Sequence, residues 1–296
     1  MKTRPFTNVY GVSRTLLALS TLTTLAAHAP LDLFRPFGEE LPRRLPIPSI
    51  FRLASDPEVG RWAAVFILAL VASGWRPRLT GVFHWWVSIS LVTTSFVVEG
   101  GDSVCATLSL LLIPITLLDD RRWHWDAVLD VPSTLRSKLA GLVSDSSWTV
   151  IRLQIAVIYF HASVGKMESR EWANGTAIYY WMKHPLFGAP DWLQATVVPL
   201  LSNATVVTTL TWGVIVFELL MFCALFISRE HWRLLFWLGC LFHFAIFLVH
   251  GLATFSLAMI GALVMYLCPA DRQLRMPSPC TDVARATDLR LRAALS

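Results

Sequence analysis

The chain has 296 residues, of which 55% are hydrophobic and only 15% carry a charge. A soluble domain of this length needs more charge to cover its surface, so the composition excludes a soluble enzyme and predicts an integral membrane protein. The net charge of +5 does not indicate nucleic-acid binding, because the lysines and arginines lie at the joints between apolar segments, where such residues set membrane topology.

Apolar segments joined by short charged stretches predict an all-α fold, a polytopic transmembrane helical bundle of about eight spans. The predicted spans cover residues 12–29, 62–75, 84–98, 104–118, 149–166, 205–228, 232–250 and 252–268. We expect the first to be a retained span, because the polar stretch after it has no clean signal-peptide cleavage site. Residues 1–268 then form one transmembrane domain, and residues 269–296 form a polar cytoplasmic tail.

The charges at the joints predict the orientation of these spans. With the N-terminus inside, the cytoplasmic joints carry the positive side chains Lys2, Arg4, Arg76, Arg78, Arg121, Arg122, Arg136, Lys138, Arg229, Arg233, Arg272 and Arg275. The outer joints at residues 99–102 and 250–251 carry neither lysine nor arginine. The outer loop 30–61 does carry arginines, but long loops follow the positive-inside rule poorly. We therefore expect a multi-pass protein of the cell membrane with both termini cytoplasmic.

The second long outer loop, residues 167–204, is rich in tryptophan and proline. Tryptophan side chains prefer the interface between membrane and water. We therefore expect this loop to lie along the outer headgroup layer, as part helix and part irregular chain.

The predicted span 149–166 is unusually rich in ionisable side chains. Helix geometry places four polar residues within about 60° of one another, as a stripe that ends at the outer face. These residues are Arg152, Tyr159, Ser163 and Lys166. Gln154 and His161 lie on nearly the opposite side. Because this helix is polar on two sides, we expect it to occupy the centre of the bundle.

Lys166 is the candidate of greatest chemical interest. An amine in a dry pocket can act as a base or a nucleophile, whereas a lysine at a helix end can also simply extend to the interface. Both interpretations are open from the sequence alone.

Three further ionisable residues lie in apolar segments. Glu218 falls near the middle of a span and needs a partner such as a lysine, arginine or histidine. His243 and His250 are seven residues apart and share a helix face, but this spacing is too long for one metal ion. The five cysteines form no CxxC pair, and we expect no metal site.

Residues 154–182, QIAVIYFHASVGKMESREWANGTAIYYWM, resemble the central motif of the HTTM (horizontally transferred transmembrane) domain that vitamin K-dependent gamma-carboxylase contains. The corresponding positions are Gln154, Tyr159, Phe160, Ala162, Lys166, Trp172 and Gly175. Within this superfamily the chain most resembles the sporulation-delaying protein B family. The segments that carry this second resemblance are GVSRTLLALSTLTTL, GGDSVCATLSLLLIPITLLDDRRWHW and FHFAIFLVHGLATFSLAMIGALVMYLCP.

The resemblance implies a membrane protein that works with a small partner protein to produce a secreted antimicrobial or toxin-like peptide. In the carboxylase the motif lysine is regarded as the base that starts hydroquinone oxygenation, and this position falls on Lys166. A lipid quinol is therefore one implied cofactor. The carboxylase also uses a histidine where this chain has Gly101-Asp102-Ser103, which speaks against glutamate carboxylation.

The leading hypothesis is a maturation factor for an exported antimicrobial or toxin-like peptide, acting at the outer face. Its candidate catalytic residues are Lys166, His161, Tyr159, Glu218 and His243, and its candidate substrate-binding residues are Arg152, Gln154, Ser163, Trp172 and His250. Two alternatives stay open: a membrane oxidoreductase or carboxylase that uses a lipid quinol, and an immunity or transport protein. The expected partners are the lipid bilayer, a small accessory protein and the peptide.

Overall fold

The computed structural model describes residues 7–34, 48–53, 56–126, 134–185 and 187–270. Within these ranges the backbone is helical, with turns and two isolated β-bridges but no sheet. The helices are α1 (Asn8–Ala27), α2 (Pro30–Leu33), α3 (Ile50–Leu53), α4 (Pro57–Ser73), α5 (Pro77–Thr94), α6 (Gly100–Leu117), α7 (Leu135–Lys166), α8 (Arg170–Ala173), α9 (Ala177–Met182), α10 (Asp191–Leu201), α11 (Ala204–Cys223), α12 (Trp232–His250) and α13 (Ala253–Leu267). The predicted all-α fold is confirmed.

Each predicted span coincides with one of the longer helices, which are α1, α4, α5, α6, α7, α11, α12 and α13. In the described part of the chain, three helices are both long and apolar enough to cross a membrane by themselves. Their mean hydropathies are 1.5 for α6, 2.0 for α11 and 1.8 for α12. The apolar helix α13 is shorter, with 15 residues. These helices fit a membrane protein, but they do not by themselves show eight crossings.

Two helices begin well before the predicted span boundaries. Helix α5 starts at Pro77 rather than at residue 84, because proline is suited to the first turn of a helix, where no backbone N–H is needed. Helix α7 starts at Leu135 rather than at residue 149, and the Thr134 hydroxyl caps it by accepting the backbone N–H of Ser137 at 3.2 Å. With 32 residues, α7 is about 48 Å long.

The connections that are predicted to lie outside meet at one end of the bundle. The residue pairs that join them by hydrogen bonds are Leu33–Phe96, Glu99–Thr254 and Phe187–His250. The connections predicted to lie inside meet at the opposite end, through the pairs Thr7–Ala270, Arg76–Arg122 and Arg78–Asp120. The long helices therefore alternate in direction, and the short joints that carry Arg76, Arg78 and Arg122 meet at the second end.

Two apolar cores hold the bundle together. The first joins α1, α6, α7, α11, α12 and α13, and includes Leu108, Ile155 and Leu263. The second joins α1, α4 and α5 to the short helices α2 and α3. Phe34 and Phe51 stack there with ring centres 4.4 Å apart, so the described parts of the loop 30–61 fold back onto the bundle.

The prediction that α7 occupies the centre of the bundle is wrong. One face of α7, with Ile151, Ile155 and Tyr159, packs into the first apolar core. The opposite face is exposed in the described structure, at Leu153, Val157, Phe160 and Val164. Because these exposed side chains are apolar, this face suits contact with lipid.

Candidate functional site

The two charged residues Lys166 and Glu218 form an ion pair. Lys166, the last residue of α7, donates from Nζ to both carboxylate oxygens of Glu218 on α11, at 2.6 and 2.8 Å. The Glu218 side chain is 8% exposed, whereas that of Lys166 is 23% exposed. The carboxylate therefore lies deeper than the ammonium, and solvent reaches the pair from the side of the lysine.

Lys166 reaches Glu218 by turning back along its own helix. Side chains of an α-helix lean toward its N-terminus, and Nζ donates to the carbonyl of Ala162, four residues earlier, at 3.1 Å. Ser163 fixes the position of α11 along α7, because its hydroxyl donates to the carbonyl of Ile215 on α11 at 3.1 Å. The interpretation that Lys166 simply extends outward to the interface is thus wrong.

The hydrogen bonds of Lys166 restrict its chemistry. An ammonium has three N–H donors, and here they face two oxygens of Glu218 and the carbonyl of Ala162. An ammonium has no lone pair with which to accept a proton. Lys166 can therefore act as a base only after its own proton has moved to Glu218 or to another acceptor.

The chain after α7 folds Trp172 over the ammonium. The ring centre of Trp172 lies 5.2 Å from Nζ, a cation–π contact, and its side chain packs with Ala177 and Ile215. The turn depends on Gly175, whose φ of 76° is unfavourable for other residues. A Cβ at this position would also lie 2.8 Å from the Thr208 side chain. The stretch 172–175 therefore forms a wall beside the ion pair.

A cavity of about 950 Å³ opens beside this wall. Its lining is aromatic and polar, with the residues Ala162, Gly165, Lys166, Ser169, Arg170, Glu171, Trp172, Asn174, Thr176, Tyr180, Trp181 and His184. A volume of this size accommodates a drug-sized molecule or a short stretch of peptide. Most of the lining comes from the loop 167–204, which is part helical as predicted.

A second polar contact, behind the ion pair, joins Tyr159 to His243. The Tyr159 hydroxyl lies 2.9 Å from Nε2 of His243, and both residues are only 2% exposed. The backbone carbonyl of His243 accepts the hydroxyl of Ser256 at 2.7 Å. Nδ1 of His243 has no partner within the described residues. These two predicted residues support the site from within and do not line the cavity.

Three predicted site residues lie elsewhere. Arg152 precedes Lys166 by fourteen residues, about 21 Å along α7, and its guanidinium lies 4.9 Å from the ring centre of Trp232. Gln154 is half-buried in the same part of α7, and His161 is exposed on the apolar face. The structure does not bring these three side chains to the cavity, because Arg152 lies too far along the polar stripe and Gln154 and His161 lie outside this stripe.

His250 lies at the edge of the site. Its Nδ1 is 2.7 Å from the carbonyl of Phe187, and its ring meets the edge of the Trp181 ring at a centre distance of 6.2 Å. Trp181 lines the cavity, whereas His250 does not. His250 therefore holds a lining residue in place and does not itself face a ligand.

The sequence did not indicate that Tyr180, Trp181 and His184 line the cavity. The clustering of aromatic residues after Lys166 is the available signal, but the same clustering is also typical of a segment that lies along the headgroup layer. Among the described residues, no group of three histidine, cysteine, aspartate or glutamate side chains is placed to hold a metal ion.

The HTTM domain family matches residues 108–271, which include Lys166 and Glu218. The chain is 38% identical to the uncharacterized protein YitO of Bacillus subtilis (strain 168) over 277 residues, 92% of this chain and 88% of that protein. It is 35% identical to the sporulation-delaying protein SdpB of the same organism over 277 residues, 92% of this chain and 84% of SdpB. No solved structure matches the chain. The resemblance seen in the sequence is confirmed, and the chain belongs to the SdpB-like family of HTTM-domain proteins.

Proposed function

We propose that this protein is a membrane maturation factor for an exported antimicrobial or toxin-like peptide, and that it binds the peptide in the cavity beside Lys166. The observation that carries this proposal is the Lys166–Glu218 ion pair, whose carboxylate is buried while its ammonium lines a cavity of about 950 Å³. Similarity to a sporulation-delaying protein supports a role in the production of a toxin-like peptide.

The proposal has the eight long helices crossing the membrane, with both termini in the cytoplasm and the cavity outside. Two observations support this orientation. The short joints that carry Arg76, Arg78 and Arg122 meet at the end of the bundle opposite to the cavity, as the positive-inside rule requires of a cytoplasmic end. The ring of Trp181, which lines the cavity, contacts the ring of His250, and the joint 250–251 carries no lysine or arginine. A peptide that has crossed the membrane would reach the cavity directly.

The ion pair acts in this proposal as a coupled proton donor and acceptor. The Lys166 ammonium exchanges its hydrogen bond to Ala162 for one to a carbonyl or carboxylate of the bound peptide, and Glu218 can take up the lysine proton when a reaction needs a free amine. The buried contact between Tyr159 and His243 keeps the inner side of the site in place.

Replacement of Lys166 tests the proposal. Lys166→Met and Lys166→Arg are expressed in the native host at equal membrane levels, and the growth-inhibiting activity of the culture medium is measured. We expect Lys166→Met to lower this activity about a hundredfold or more, the usual size of a proton-transfer contribution. Full activity from both variants would exclude the proposed role.

Lys183→Met is the matched control. Lys183 belongs to the loop 167–204 that supplies most of the cavity lining, but its Nζ lies 5.2 Å from the Tyr179 ring centre and its side chain does not line the cavity. This variant should keep the activity of the medium. A loss equal to that of Lys166→Met would mean that removal of any lysine charge at this end of the bundle has the same effect.

A second candidate function, a quinol-dependent oxidoreductase or carboxylase, is favoured by the aromatic wall of the cavity. A quinol supplies two electrons and two protons when bound, and Trp172 and Trp181 are the residues that would hold its ring. Titration of the purified protein with a water-soluble quinone, followed by tryptophan fluorescence, tests this candidate. Saturable quenching that Trp181→Phe weakens would support it, and quenching without saturation would exclude it.

The proposal also includes a small accessory protein, which the family resemblance alone supports. Co-purification from native membranes, followed by mass spectrometry, tests for it. Recovery of this chain without a small protein under mild detergent would remove that part of the proposal.

A further inference from the structure

One side of α7 carries a seven-residue repeat that the rest of the described chain leaves largely uncovered. Its members follow one another in alternating steps of four and three residues, and they are Val143, Ser147, Val150, Gln154, Val157, His161 and Val164. We call this stripe the α7 seam. Its four valines are 41–48% exposed, His161 is exposed, and Ser147 and Gln154 are half-buried. A seven-residue repeat is the pattern by which two helices wind around each other.

The polar members of the α7 seam do not suit contact with lipid. The side chains of Gln154 and His161 form no hydrogen bond with the described residues. Gln154 precedes Lys166 by about 18 Å along the helix, so in a helix that crosses the membrane it lies near the middle of the hydrocarbon layer. Lipid can cover the valines, but it offers no donor or acceptor to the amide. A membrane-crossing α7 therefore needs a polar surface against the seam.

A second copy of this chain supplies such a surface. All copies enter the membrane with the same orientation, so two α7 helices meet in parallel and each polar residue faces its own equivalent across a two-fold axis. The Ser147 hydroxyl, the Gln154 amide and the His161 imidazole each combine a donor with an acceptor, so each can bond its own copy. The valine and serine side chains are short, which allows the two backbones to approach closely.

We propose that the protein forms a parallel dimer through the α7 seam, in which the Gln154 amides of the two copies bond each other near the middle of the membrane. This inference rests on the crossing of the membrane by α7, which belongs to the proposed function, but not on the peptide or on the chemistry of Lys166. Gln154 and His161 lie on nearly the opposite side of α7 from Lys166, so the seam and the ion pair do not compete for one face.

Disulfide crosslinking in native membranes tests the proposal. In the full chain without its five natural cysteines, Val150→Cys, Val157→Cys or Leu153→Cys supplies a single thiol, and a membrane-soluble oxidant is added. A disulfide needs two Cα atoms within about 7 Å, which only positions that face each other across the contact meet. Val150→Cys and Val157→Cys should therefore give a species of double the chain mass, which a reductant removes.

Leu153→Cys is the matched control. Leu153 lies on the same exposed side of α7 and is 50% exposed, but it is outside the seam, so it should give little of this species. Equal crosslinking from all three positions would indicate random collision, and no crosslinking from any would exclude contact between copies. A crosslink from the seam to a smaller protein would show that a different partner occupies it. Each of these results would overturn the proposal.

Gln154→Leu tests the hydrogen bond across the seam. In the purified chain in mild detergent, it should lower the dimer association constant, measured by light scattering, about tenfold, as expected for the loss of a hydrogen bond between membrane helices. Leu153→Ala, at the same depth, should leave this constant unchanged. An association constant that Gln154→Leu does not lower would contradict the pairing of the amides.

A labelling experiment separates failure of the dimer from failure of the proposed function. If a water-soluble maleimide labels Val157→Cys in opened membranes, α7 does not cross the membrane there, and the proposed topology and the dimer fail together. If the thiol is protected but does not crosslink, only the dimer fails, and the effect of Lys166→Met on the peptide is still expected.

Discussion

The carboxylate of Glu218 accepts its two hydrogen bonds from a single donor group, Nζ of Lys166, at 2.6 and 2.8 Å. The two side chains differ in the hydrogen-bond partners and the access to water that each would keep if the other were removed. Without Lys166, the deeper carboxylate would keep no donor among the described residues. Without Glu218, the ammonium would still bond Ala162 and would be reached by water from the cavity.

This asymmetry predicts unequal effects of the two single replacements. Lys166→Met should lower the free energy of unfolding by about 3–5 kcal/mol, because it leaves a buried carboxylate unpaired. Glu218→Gln should cost less, about 1–2 kcal/mol, because the remaining ammonium stays solvated on one side. Chemical unfolding of the purified variants measures both values.

The double variant Lys166→Met/Glu218→Gln checks the coupling. It removes both charges, so we expect it to be more stable than Lys166→Met alone, although it should produce no active peptide. Additive losses in the double variant would show that the two side chains do not act as a pair.

Tyr159→Phe should destabilise the protein through His243. The replacement leaves Nε2 of His243 buried without its partner, which should cost about 1–3 kcal/mol. Tyr266→Phe is the control, because the Tyr266 hydroxyl bonds the carbonyl of Met221, which has a second donor in the N–H of Ala224. A larger loss for Tyr266→Phe than for Tyr159→Phe would contradict this account of the buried contact.

The stability should depend on pH through His124, which lies in the connection after α6. Burial, together with the charges of Arg14 and Arg121, lowers the pKa of His124 from 6.5 to about 3. The unfolded chain therefore binds a proton here as the pH falls through 6.5, while the folded chain does so only near pH 3. Within this window the folded state should lose up to about 1.4 kcal/mol per pH unit.

His124→Gln should flatten this dependence. The unfolding midpoint of the variant should fall less than that of the wild type when the pH is lowered from about 7 to about 5. His161→Gln, at an exposed position of α7, serves as the control and should follow the wild type. The same slope in all three proteins would show that His124 does not titrate on unfolding.

The proposed orientation predicts which positions are reached from outside the cell. In a background without the five natural cysteines, Lys183→Cys and Arg122→Cys place single thiols at exposed positions of the two opposite ends. A membrane-impermeant maleimide added to intact cells should label only the thiol at position 183. Labelling of position 122 alone would reverse the orientation.

The sequence predicted the long helices well, because runs of apolar residues between charged joints have few other stable arrangements in a membrane. The start of α7 was missed because residues 135–148 are polar enough to read as a loop. The pairing of Lys166 with Glu218 could not be read from periodicity, since it joins residues 52 positions apart and depends on how the lysine turns back along its helix.

The complete burial of Arg14 on α1 was missed for a related reason. In the sequence it stands near the end of an apolar segment, where an arginine usually extends to the interface. Only the packing of the connection 119–126 against α1, α4 and α5 shows that this end is closed. Contacts between distant segments thus decide which polar residues are buried.

Site-directed photo-crosslinking tests most directly whether the peptide binds beside the Lys166–Glu218 pair. A photoreactive amino acid replaces Tyr180, which lines the cavity, or Val157, which is exposed on the apolar face of α7. Irradiated membranes of the producing host are then analysed by mass spectrometry. We predict that the exported peptide is captured from position 180 and not from position 157. Capture from position 157 alone, or equal capture from both, would contradict the account.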